Sequence, residues 1–343
     1  MKTNPVERIG IAASMRHGFC RFSRMKNGKK IIPEVLRLKY EEWLNEWLVL
    51  YVKPTTKERT YKKYFKLVET HIIPPLGGYD LRELSPTALQ KFTVRLSDDG
   101  FSANTVNGII SVLKSSLKRA VTLGITKKEY TDCIVRPKQR EKQVECFSKD
   151  EQRKIEQYIY EKKKTKLFGI LLCLYTGLRI GELLALTWND VDLQKGVISV
   201  SKSCHDGWKN GAYVKIVDTP KTLCSARVIP LPKQLLSKMK EHRKQSAGEY
   251  VVGGRSEYGA QVRSYQKTFE LLLKRLRIPH KGFHSLRHTF ATRALECGMD
   301  VKTLSEILGH KNPTITLKRY AHSMMEHKAE MMNRLGKLLL ENG

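Results

Sequence analysis

Apolar residues recur at helical spacing between about residues 34 and 125. The first repeat consists of Tyr40, Trp43, Leu44, Trp47 and Leu48. This spacing places all five side chains on one face of a helix. Three further helices are predicted at 56–71 (ending near Pro74-Pro75), from Ser85 onward, and from Ser102 to Gly124. Four helices with short connections predict an all-α domain over residues 34–133.

The segment before this domain, residues 1–33, has no clear periodicity. Its Asn27-Gly28 dipeptide is typical of a two-residue hairpin turn, and apolar residues lie on both sides of it. The segment is also basic. A small β-hairpin and a basic N-terminal arm are therefore both consistent with it.

A polar, basic segment follows the helical domain. Residues 134–145 read Ile-Val-Arg-Pro-Lys-Gln-Arg-Glu-Lys-Gln-Val-Glu, a composition typical of an interdomain linker. Ser148 and Glu151 then form a capping-box pattern ahead of apolar residues. A second domain is expected to begin near residue 146.

The second domain combines helices with a few short strands. An apolar run predicts a buried helix at 165–176, and a helical pattern resumes from residue 233. Between them, β-branched residues predict a pair of strands near 196–202 and 212–218, and a third strand at 227–231. Because these strands do not alternate with helices as in β-α-β units, we predict an α+β fold. The whole chain should be mostly α with a small antiparallel sheet.

The charge of the chain indicates a polyanionic partner. There are 63 Lys and Arg residues against 34 Asp and Glu, a net charge of +29. Nucleic acid is the first candidate and an anionic membrane surface the second. No apolar run of about 18 residues predicts a transmembrane helix, and no signal peptide is recognisable. Seven scattered cysteines without a C-x-x-C pair are typical of reduced thiols in a cytosolic protein.

Basic side chains cluster on two predicted helices of the first domain. The clusters are Lys62, Lys63 and Lys66 on one helix, and Lys114, Lys118 and Arg119 on the other. A charge cluster usually belongs to a solvated helix face. With the charge of the whole chain, phosphate contact is the better interpretation for this domain.

Some polar residues of the second domain lie in sequence contexts that a purely structural role explains poorly. Arg179 stands in the apolar context Thr-Gly-Leu-Arg-Ile-Gly-Glu-Leu, where Gly177 and Gly181 mark a break between helices. A partly buried arginine needs an anionic partner. Glu182 alone would make this a structural ion pair. Alternatively, Arg179 binds a phosphate, and Glu182 holds the arginine from the opposite side.

Three more candidates follow along the chain. Lys221 stands in Thr-Pro-Lys-Thr, a turn in which a lysine is usually only solvated. His284 and Arg287 are three residues apart at the start of a predicted helix, so they share a face. A histidine beside an arginine suits proton transfer at an anionic centre. A capping or core role is an equally good alternative for the pair.

Residues 300–321 have the pattern of a helix-turn-helix. Gly309 ends the first helix, His310 follows it, and Pro313 begins the second helix. Tyr320 lies on that second helix, where a lone tyrosine is more often a core residue than a nucleophile.

Together, these residues resemble one family. The motifs are Thr-Gly-Leu-Arg-Ile-Gly-Glu-Leu, Thr-Pro-Lys-Thr, His-Ser-Leu-Arg-His-Thr-Phe-Ala-Thr, Leu-Gly-His and Tyr-Ala-His, which contain Arg179, Lys221, His284, Arg287, His310 and Tyr320. Their order and contexts resemble the tyrosine recombinases, or phage integrase family. The helical domain resembles that family's SAM-like core-binding domain. The resemblance implies a C-shaped DNA clamp with its catalytic domain at 146–323.

The resemblance also implies the chemistry. Tyr320 would attack the scissile phosphodiester and form a 3′-phosphotyrosyl link, which conserves the bond energy so that no ATP is required. Arg179 and Arg287 would hold the non-bridging oxygens. Lys221 would protonate the leaving 5′-oxygen. These cations supply the positive charge, so no metal or other cofactor is implied.

Three supporting roles complete the implied site. His284 would assist proton transfer at the tyrosine, and His310 would donate a hydrogen bond to a phosphate oxygen. Glu182 would orient the site.

Members of this family act as tetramers on two DNA duplexes through a Holliday junction. The resemblance therefore implies attachment or core sites in double-stranded DNA, a homo-tetramer, and excision or host DNA-bending factors as further partners. It implies no membrane partner. It also implies that the enzyme is cytoplasmic and nucleoid-associated in a bacterial cell. In the tail 324–343, Met325, Ala329, Met332 and Leu339 recur at helical spacing. The tail would dock on a neighbouring protomer or, alternatively, pack on its own domain.

Two questions stay open. Many relatives from mobile elements carry an arm-binding domain before the helical domain, whereas residues 1–33 could at most be its remnant. The motif contexts favour an integrase of a phage or conjugative transposon over a chromosome or plasmid dimer resolvase. A type IB topoisomerase and a non-catalytic helix-turn-helix DNA-binding regulator compete with both of these functions.

Overall fold

The computed structural model describes most of the chain between residues 38 and 314. The described residues are 25–26, 29–30, 38–126, 131–139, 144–209, 211–218, 226–253, 259–310, 312–314, 316, 329, 332–333, 335–337 and 339. The chain divides into two units, Met1–Glu141 and Lys142–Gly343. This division falls inside the predicted linker.

The first unit is helical. Strands β1 (Met25–Lys26) and β2 (Lys29–Lys30) form a short antiparallel pair. The helices are α1 (Tyr40–Trp47), α2 (Glu58–Leu67), α3 (Ile73–Leu76), α4 (Pro86–Asp98) and α5 (Ala103–Thr122). Two π-helical turns follow α1 and α2, at Leu48–Val52 and Val68–Ile72, and a 3-10 turn lies at Thr131–Cys133. The predicted all-α fold of this part is confirmed.

The apolar repeat of α1 forms the core of this unit. Tyr40 and Trp43 are fully buried. The Tyr40 hydroxyl lies 2.7 Å from Ser116 Oγ, and Trp43 Nε1 donates to the Ser116 carbonyl at 3.1 Å. Buried aromatic side chains with polar tips need such partners. The two hydrogen bonds therefore fix α1 against α5.

One helix boundary differs from the prediction, whereas two others agree with it. The helix expected to stop near Pro74-Pro75 continues through a π-helical turn into α3, and both prolines lie in the first turn of α3. First-turn N–H groups have no partner within a helix, so proline is tolerated there. The predicted helix starts at Ser85 and Ser102 are confirmed, because each hydroxyl accepts a hydrogen bond from the backbone N–H three residues on.

The second unit is α+β, as predicted. Its helices are α6 (Lys149–Lys162), α7 (Thr165–Thr176), α8 (Ile180–Ala185), α9 (Lys233–Gln245), α10 (Val262–Arg275), α11 (His284–Glu296) and α12 (Val301–Leu308). Its strands are β3 (Val191–Asp192), β4 (Val197–Val200), β5 (Ser203–Lys209), β6 (Ala212–Asp218) and β7 (Arg227–Pro230). Of the tail 324–343, residues 329, 332–333, 335–337 and 339 are helical, and Met325 lies outside the described residues.

The strands form two separate antiparallel sheets. β4 lies between β3 and β7 in one sheet, and β5 pairs with β6 in a hairpin. The predicted pairing of 196–202 with 212–218 is therefore wrong. Strand β5 has no strand pattern in the sequence because its residues, Ser-Cys-His-Asp-Gly-Trp-Lys, include no β-branched side chain. The Asn210-Gly211 dipeptide that follows β5 is the hairpin signal that could have revealed it.

Helix α7 is the centre of the second unit's core. Nearly all of its residues from Leu167 to Leu174 are buried, and α8, α9 and α11 pack against it. The segment that follows α7 and the segment that follows α12 thereby come close to α11. The break that we predicted at two glycines lies at Gly177 alone, since Gly181 is inside α8. Gly181 instead permits close approach, because an added Cβ would lie 2.6 Å from the Cys204 carbonyl oxygen of β5.

Two observations bear on the environment of the chain. In the part of the chain that the structure describes, no helix has the length and apolar character needed to cross a membrane. Free thiols are found at Cys133, Cys146, Cys173, Cys204 and Cys297. Cys20 and Cys224 lie outside the described residues.

A Gly177→Ala substitution should lower the free energy of unfolding by about 3 kcal/mol. Gly177 ends α7 in the left-handed region, with φ +64°, which costs a non-glycine residue about 1–2 kcal/mol. An added Cβ would also lie 2.5 Å from a ring carbon of Phe290 and 2.8 Å from Leu308, and such overpacking costs about 1–3 kcal/mol. Urea denaturation followed by circular dichroism measures the loss.

Gly298→Ala is the matched control in the same unit. Gly298 has φ +84°, but no atom lies within 4 Å of an added Cβ. Its substitution should therefore cost only the backbone contribution of about 1 kcal/mol. Equal losses in the two variants would contradict the steric part of the argument.

Candidate active site

Three arginines from different segments converge on the C-terminal end of α12. Each donates to one of three successive carbonyls there: Arg227 Nε to Ile307, Arg287 Nη2 to Leu308 (2.7 Å) and Arg179 Nη2 to Gly309 (3.4 Å). The last carbonyls of a helix have no partner within the helix and carry partial negative charge. They therefore form a natural acceptor for cationic side chains.

Gly309 makes this convergence possible. It ends α12 in the left-handed conformation, with φ +65°, as the sequence predicted. An added Cβ would lie 3.0 Å from Arg227 Nη1 and 3.1 Å from its Cδ. The glycine thus leaves space for a guanidinium, and the next residue, His310, enters the site.

Arg287 is the most deeply buried of the three, with 2% of its surface exposed. Its Nη1 donates to the Gly177 carbonyl at 2.8 Å, and its Nη2 lies 2.9 Å from His310 Nε2. One side chain on α11 therefore connects the end of α7, the end of α12 and His310.

The contacts of His310 define its tautomer. Because a guanidinium can only donate, His310 Nε2 accepts from Arg287, and the proton of a neutral ring lies on Nδ1. Nδ1 is 2.8 Å from the Thr316 hydroxyl, and Thr316 is fully buried. The predicted donation to a phosphate oxygen therefore requires the exchange of one of these two contacts and, if Nε2 is the donor, a proton on Nε2.

Arg179 and Glu182 form the ion pair that the sequence suggested. Arg179 directly precedes α8, and Glu182 accepts from its backbone N–H at 3.0 Å and from its Nη1 at 2.7 Å. The Arg179 side chain is 37% exposed and that of Glu182 only 7%. The carboxylate thus holds the arginine from the protein side and leaves its other side open to solvent.

Glu182 also binds Arg227. Its two oxygens accept from Arg227 Nη1 at 3.2 Å and Nη2 at 2.8 Å. Burial alone would raise the pKa of Glu182, but the hydrogen bonds and charge of Arg227, together with Arg179, outweigh it and hold the pKa at about 2. Glu182 therefore remains ionised at neutral pH.

Arg227 is the site residue that sequence reasoning missed. Its side chain is 6% exposed, although it begins the short strand β7. The available signal was an arginine in an otherwise apolar strand that directly follows the segment carrying Lys221. Such an arginine needs a buried anion, and only the fold shows that Glu182 supplies it.

The remaining predicted residues are more widely distributed. His284 is the first residue of α11 and exposed, with its ring edge-on to His288 at 4.6 Å between centroids. Lys221 and Tyr320 lie outside the described residues. In the first unit, Lys62, Lys63 and Lys66 are exposed on α2, Lys118 and Arg119 are exposed on α5, and Lys114 is half-buried. Lys62 is paired with Glu58 at 2.6 Å, and Arg119 lies over the Tyr51 ring.

The arrangement concentrates positive charge at one point. The guanidinium groups of Arg179 and Arg227 bind the Glu182 carboxylate, and that of Arg287 binds the same helix end, which leaves two positive charges uncompensated within this set. Guanidinium forks bind phosphate oxygens with charge-assisted, often bidentate hydrogen bonds. The geometry therefore suits a phosphodiester whose charge increases in a transition state.

Known proteins share both halves of this chain. Residues 145–327 match the phage integrase family, and residues 39–97 match the N-terminal SAM-like domain of phage integrases. A XerC-like tyrosine recombinase of Caldanaerobacter subterraneus subsp. tengcongensis is 30% identical over 87% of this chain and 82% of its own length. The ICEBs1 integrase of Bacillus subtilis is 27% identical over 83% and 79%. The transposase of transposon Tn916 from Enterococcus faecalis is 26% identical over 76% and 69%.

Solved structures share the fold. The Tn1549 transposon integrase in complex with a circular intermediate DNA superposes with a TM-score of 0.74 at 23% identity, covering 87% of this chain and 99% of that one. A lambda integrase tetramer bound to a Holliday junction gives a TM-score of 0.64 at 19% identity, over 92% and 90%. The family match spans more than half of the chain. The predicted family is therefore confirmed: this chain belongs to the phage integrase family, the tyrosine recombinases.

Proposed function

We propose that this tyrosine recombinase cuts and rejoins DNA at specific sites, with Arg179 and Arg287 binding the scissile phosphate. The observation that carries the proposal is the convergence of these arginines on the end of α12, beside His310. Arg179 is partly exposed and backed by an ionised Glu182. Arg287 is buried and fixed by two carbonyls. Such preorganised donors stabilise developing charge without reorganising during the reaction.

Tyr320 is the proposed nucleophile. Its phenolic oxygen forms a bond to phosphorus while the bond from phosphorus to the 5′-oxygen breaks, which leaves a 3′-phosphotyrosyl link. The phenolic proton passes to His284, and Lys221 donates a proton to the 5′-oxygen. Attack by a 5′-hydroxyl of another strand reverses the step and rejoins the DNA. The number of phosphodiester bonds is unchanged, so no nucleotide triphosphate is consumed.

His310 completes the proposed phosphate site. Its Nε2 accepts from Arg287 in the structure. A phosphate that takes over the Arg287 contact would free this nitrogen, and protonation of the ring would let it donate to a phosphate oxygen.

We further propose that the chain is the integrase of a conjugative transposon and acts as a tetramer on DNA. Three similar proteins, from Tn916, ICEBs1 and Tn1549, are named for mobile elements.

The lambda integrase neighbour is a tetramer on a Holliday junction. In the tail, Met332, Leu335 and Leu339 are helical and exposed, which favours docking on a neighbouring protomer. Excision and DNA-bending factors are the expected further partners. A chromosome or plasmid dimer resolvase of the same family is the alternative.

Covalent trapping tests the function. A core site is first selected from a random-sequence duplex library by binding to the full chain. The selected duplex is then nicked beside each position in turn, so that the short fragment carrying the new 5′-hydroxyl diffuses away and the adduct accumulates. We expect a stable protein–DNA adduct whose attachment maps to the Tyr320 peptide by mass spectrometry. Binding without an adduct at any position would instead support a non-catalytic regulator, and relaxation of plasmids that lack the selected site would support a topoisomerase.

The basic clusters of α2 and α5 are the proposed DNA contacts of the first unit. Each phosphate contact contributes about 0.9 to the slope of the logarithm of affinity against the logarithm of salt concentration. Lys62→Gln/Lys66→Gln and Lys114→Gln/Lys118→Gln should therefore each reduce this slope by up to about 2. Fluorescence anisotropy of a labelled duplex over a salt series measures it.

A control pair lies on another helix of the same unit. Lys91 and Arg95 are exposed on α4, so Lys91→Gln/Arg95→Gln removes the same charge from a different helix. An equal change of slope in this control would show that net charge, rather than the clusters, determines the salt dependence.

A further inference from the structure

We propose that Arg227 is a positioning residue of this phosphate-binding site: it orients Glu182, and Glu182 in turn orients the Arg179 guanidinium. This inference deepens the proposed function and rests on it. It concerns a side chain that is only 6% exposed, rather than one of the residues proposed to bind the phosphate.

Glu182 lies between two arginines and bridges them with both oxygens. Its Oε1 accepts from Arg179 Nη1 at 2.7 Å and from Arg227 Nη1 at 3.2 Å. Its Oε2 accepts from the Arg179 backbone N–H at 3.0 Å and from Arg227 Nη2 at 2.8 Å. The fork of Arg227 thus binds the carboxylate in a bidentate way, which fixes the carboxylate plane. The direction of the Arg179 guanidinium follows from that plane.

The side chains of Arg179 and Arg227 differ in how much of each is exposed to solvent, and this difference separates their roles. Arg227 has 6% of its side chain exposed, and Arg179 has 37%. A DNA phosphate can therefore approach Arg179, whereas Arg227 is enclosed behind Glu182. A carboxylate can bind two guanidinium groups at once because its two oxygens together have several lone pairs.

Arg227 also joins segments that are distant in sequence. It begins β7, directly after the segment that carries Lys221. Its Nε donates to the carbonyl of Ile307, three residues before His310. Arg227 therefore connects three parts of the proposed site. It follows the segment of the proposed general acid Lys221 in sequence, binds the chain just before His310, and reaches Arg179 through Glu182. Loss of Arg227 should disturb the mutual position of these groups, while the protein surface that meets DNA is unchanged.

Cleavage kinetics provide the first test. We expect Arg227→Met to slow single-turnover adduct formation on the selected nicked duplex by about 10–100-fold, the usual effect of removing a group that orients a site residue, with the affinity for that duplex within about twofold. Arg227→Lys keeps the charge but not the fork, so it should recover only part of the rate. In a double-mutant cycle, Glu182→Gln combined with Arg227→Met should be no slower than the slower single variant, because the two act through one contact.

A control variant separates this role from a general structural one. Arg293 on α11 likewise binds a carboxylate, of Glu296 at 2.7 Å, and a backbone carbonyl, of Phe147 at 3.0 Å. Arg293→Met should keep adduct formation close to wild type. Equal loss in Arg293→Met and Arg227→Met, or additive losses in the double-mutant cycle, would overturn the proposal.

The pKa of Glu182 gives a readout that needs no DNA. Among the described residues, the charged groups that bind Glu182 are Arg179, directly before α8, and Arg227 on β7. Cys173 on α7 is a buried thiol whose pKa is raised by burial, so it stays neutral. We expect carbon NMR of the full chain to place the pKa of Glu182 near 2 in the wild type and distinctly higher in Arg227→Met. The same pKa in a folded Arg227→Met variant would refute the positioning role. A wild type that forms no adduct on any duplex would refute the proposed function instead, and the titration would still show whether Arg227 controls the ionisation of Glu182.

Discussion

Tyr320→Phe should bind the selected duplex with wild-type affinity and form no covalent adduct. The substitution removes one oxygen and keeps the ring, so packing around the side chain is preserved while the nucleophile is lost. The arginines of the site would still hold the phosphate, because Arg179 and Arg287 take their geometry from Glu182, Gly177 and α12. Adduct formation on the nicked duplex, followed over a day on denaturing gels, gives the rate.

Tyr175→Phe is the matched control. Tyr175 lies at the end of α7, two residues before Gly177, and burial raises the pKa of its phenol. It is therefore a poor nucleophile although it is close to the site in sequence, and its removal should leave the adduct yield unchanged. A wild-type yield of adduct in Tyr320→Phe would contradict the proposed nucleophile, and loss of adduct in Tyr175→Phe would reassign it.

Local sequence signals predicted the parts of the fold that depend on neighbouring residues. The capping box of Ser148 and Glu151 has both of its expected hydrogen bonds, and the apolar run predicted α7 at Thr165–Thr176. Strand pairing was the failure. Besides β3, the partner of β4 is β7, about thirty residues on, and the hairpin of β5 and β6 lies between β4 and β7 in sequence. The pattern of apolar positions along the chain does not show which distant strands pair.

The same distinction applies to the site. Arg179 and Glu182 are three residues apart, so their pairing follows from helix geometry. Arg227 reaches Glu182 across 45 residues, and Arg287 reaches the Gly177 carbonyl across 110. Arg287 is held by two backbone carbonyls at helix ends and Arg227 by one, and a backbone acceptor leaves no residue-type signal in the sequence. Only the packing of α11 and α12 beside α7 determines which carbonyls are available.

The hydrogen bonds of His310 indicate how the site would respond to a phosphate. In the structure Arg287 donates to His310 Nε2 and to the carbonyls of Gly177 and Leu308. Binding of a phosphate would offer Arg287 a charged acceptor in place of a neutral imidazole, and guanidinium groups form short, often bidentate hydrogen bonds with phosphate. Exchange of this one contact would turn His310 from an acceptor into a candidate donor.

Arg287→Lys should lower the rate of adduct formation by about 10²–10³-fold, the usual effect of losing one preorganised donor at a developing charge. The charge is kept, so the loss measures geometry. The two terminal nitrogens of Arg287 serve Gly177, Leu308 and His310 together, whereas a single ammonium group cannot reach all three positions. Acceptors that lose their donor in a buried site cost about 1–3 kcal/mol each, so the free energy of unfolding should also fall.

Arg293→Lys is the control on the same helix, and its adduct rate should stay within about threefold of the wild type, because a partly exposed arginine–carboxylate pair contributes little. Urea denaturation of both variants separates stability from chemistry: adduct rates are compared without urea, at a temperature where each variant is fully folded. A folded Arg287→Lys variant that forms adduct within about tenfold of the wild-type rate would show that positive charge alone is needed at this position. In that case the fixed guanidinium, and with it the convergence on α12, would serve the fold of the second unit rather than the phosphate.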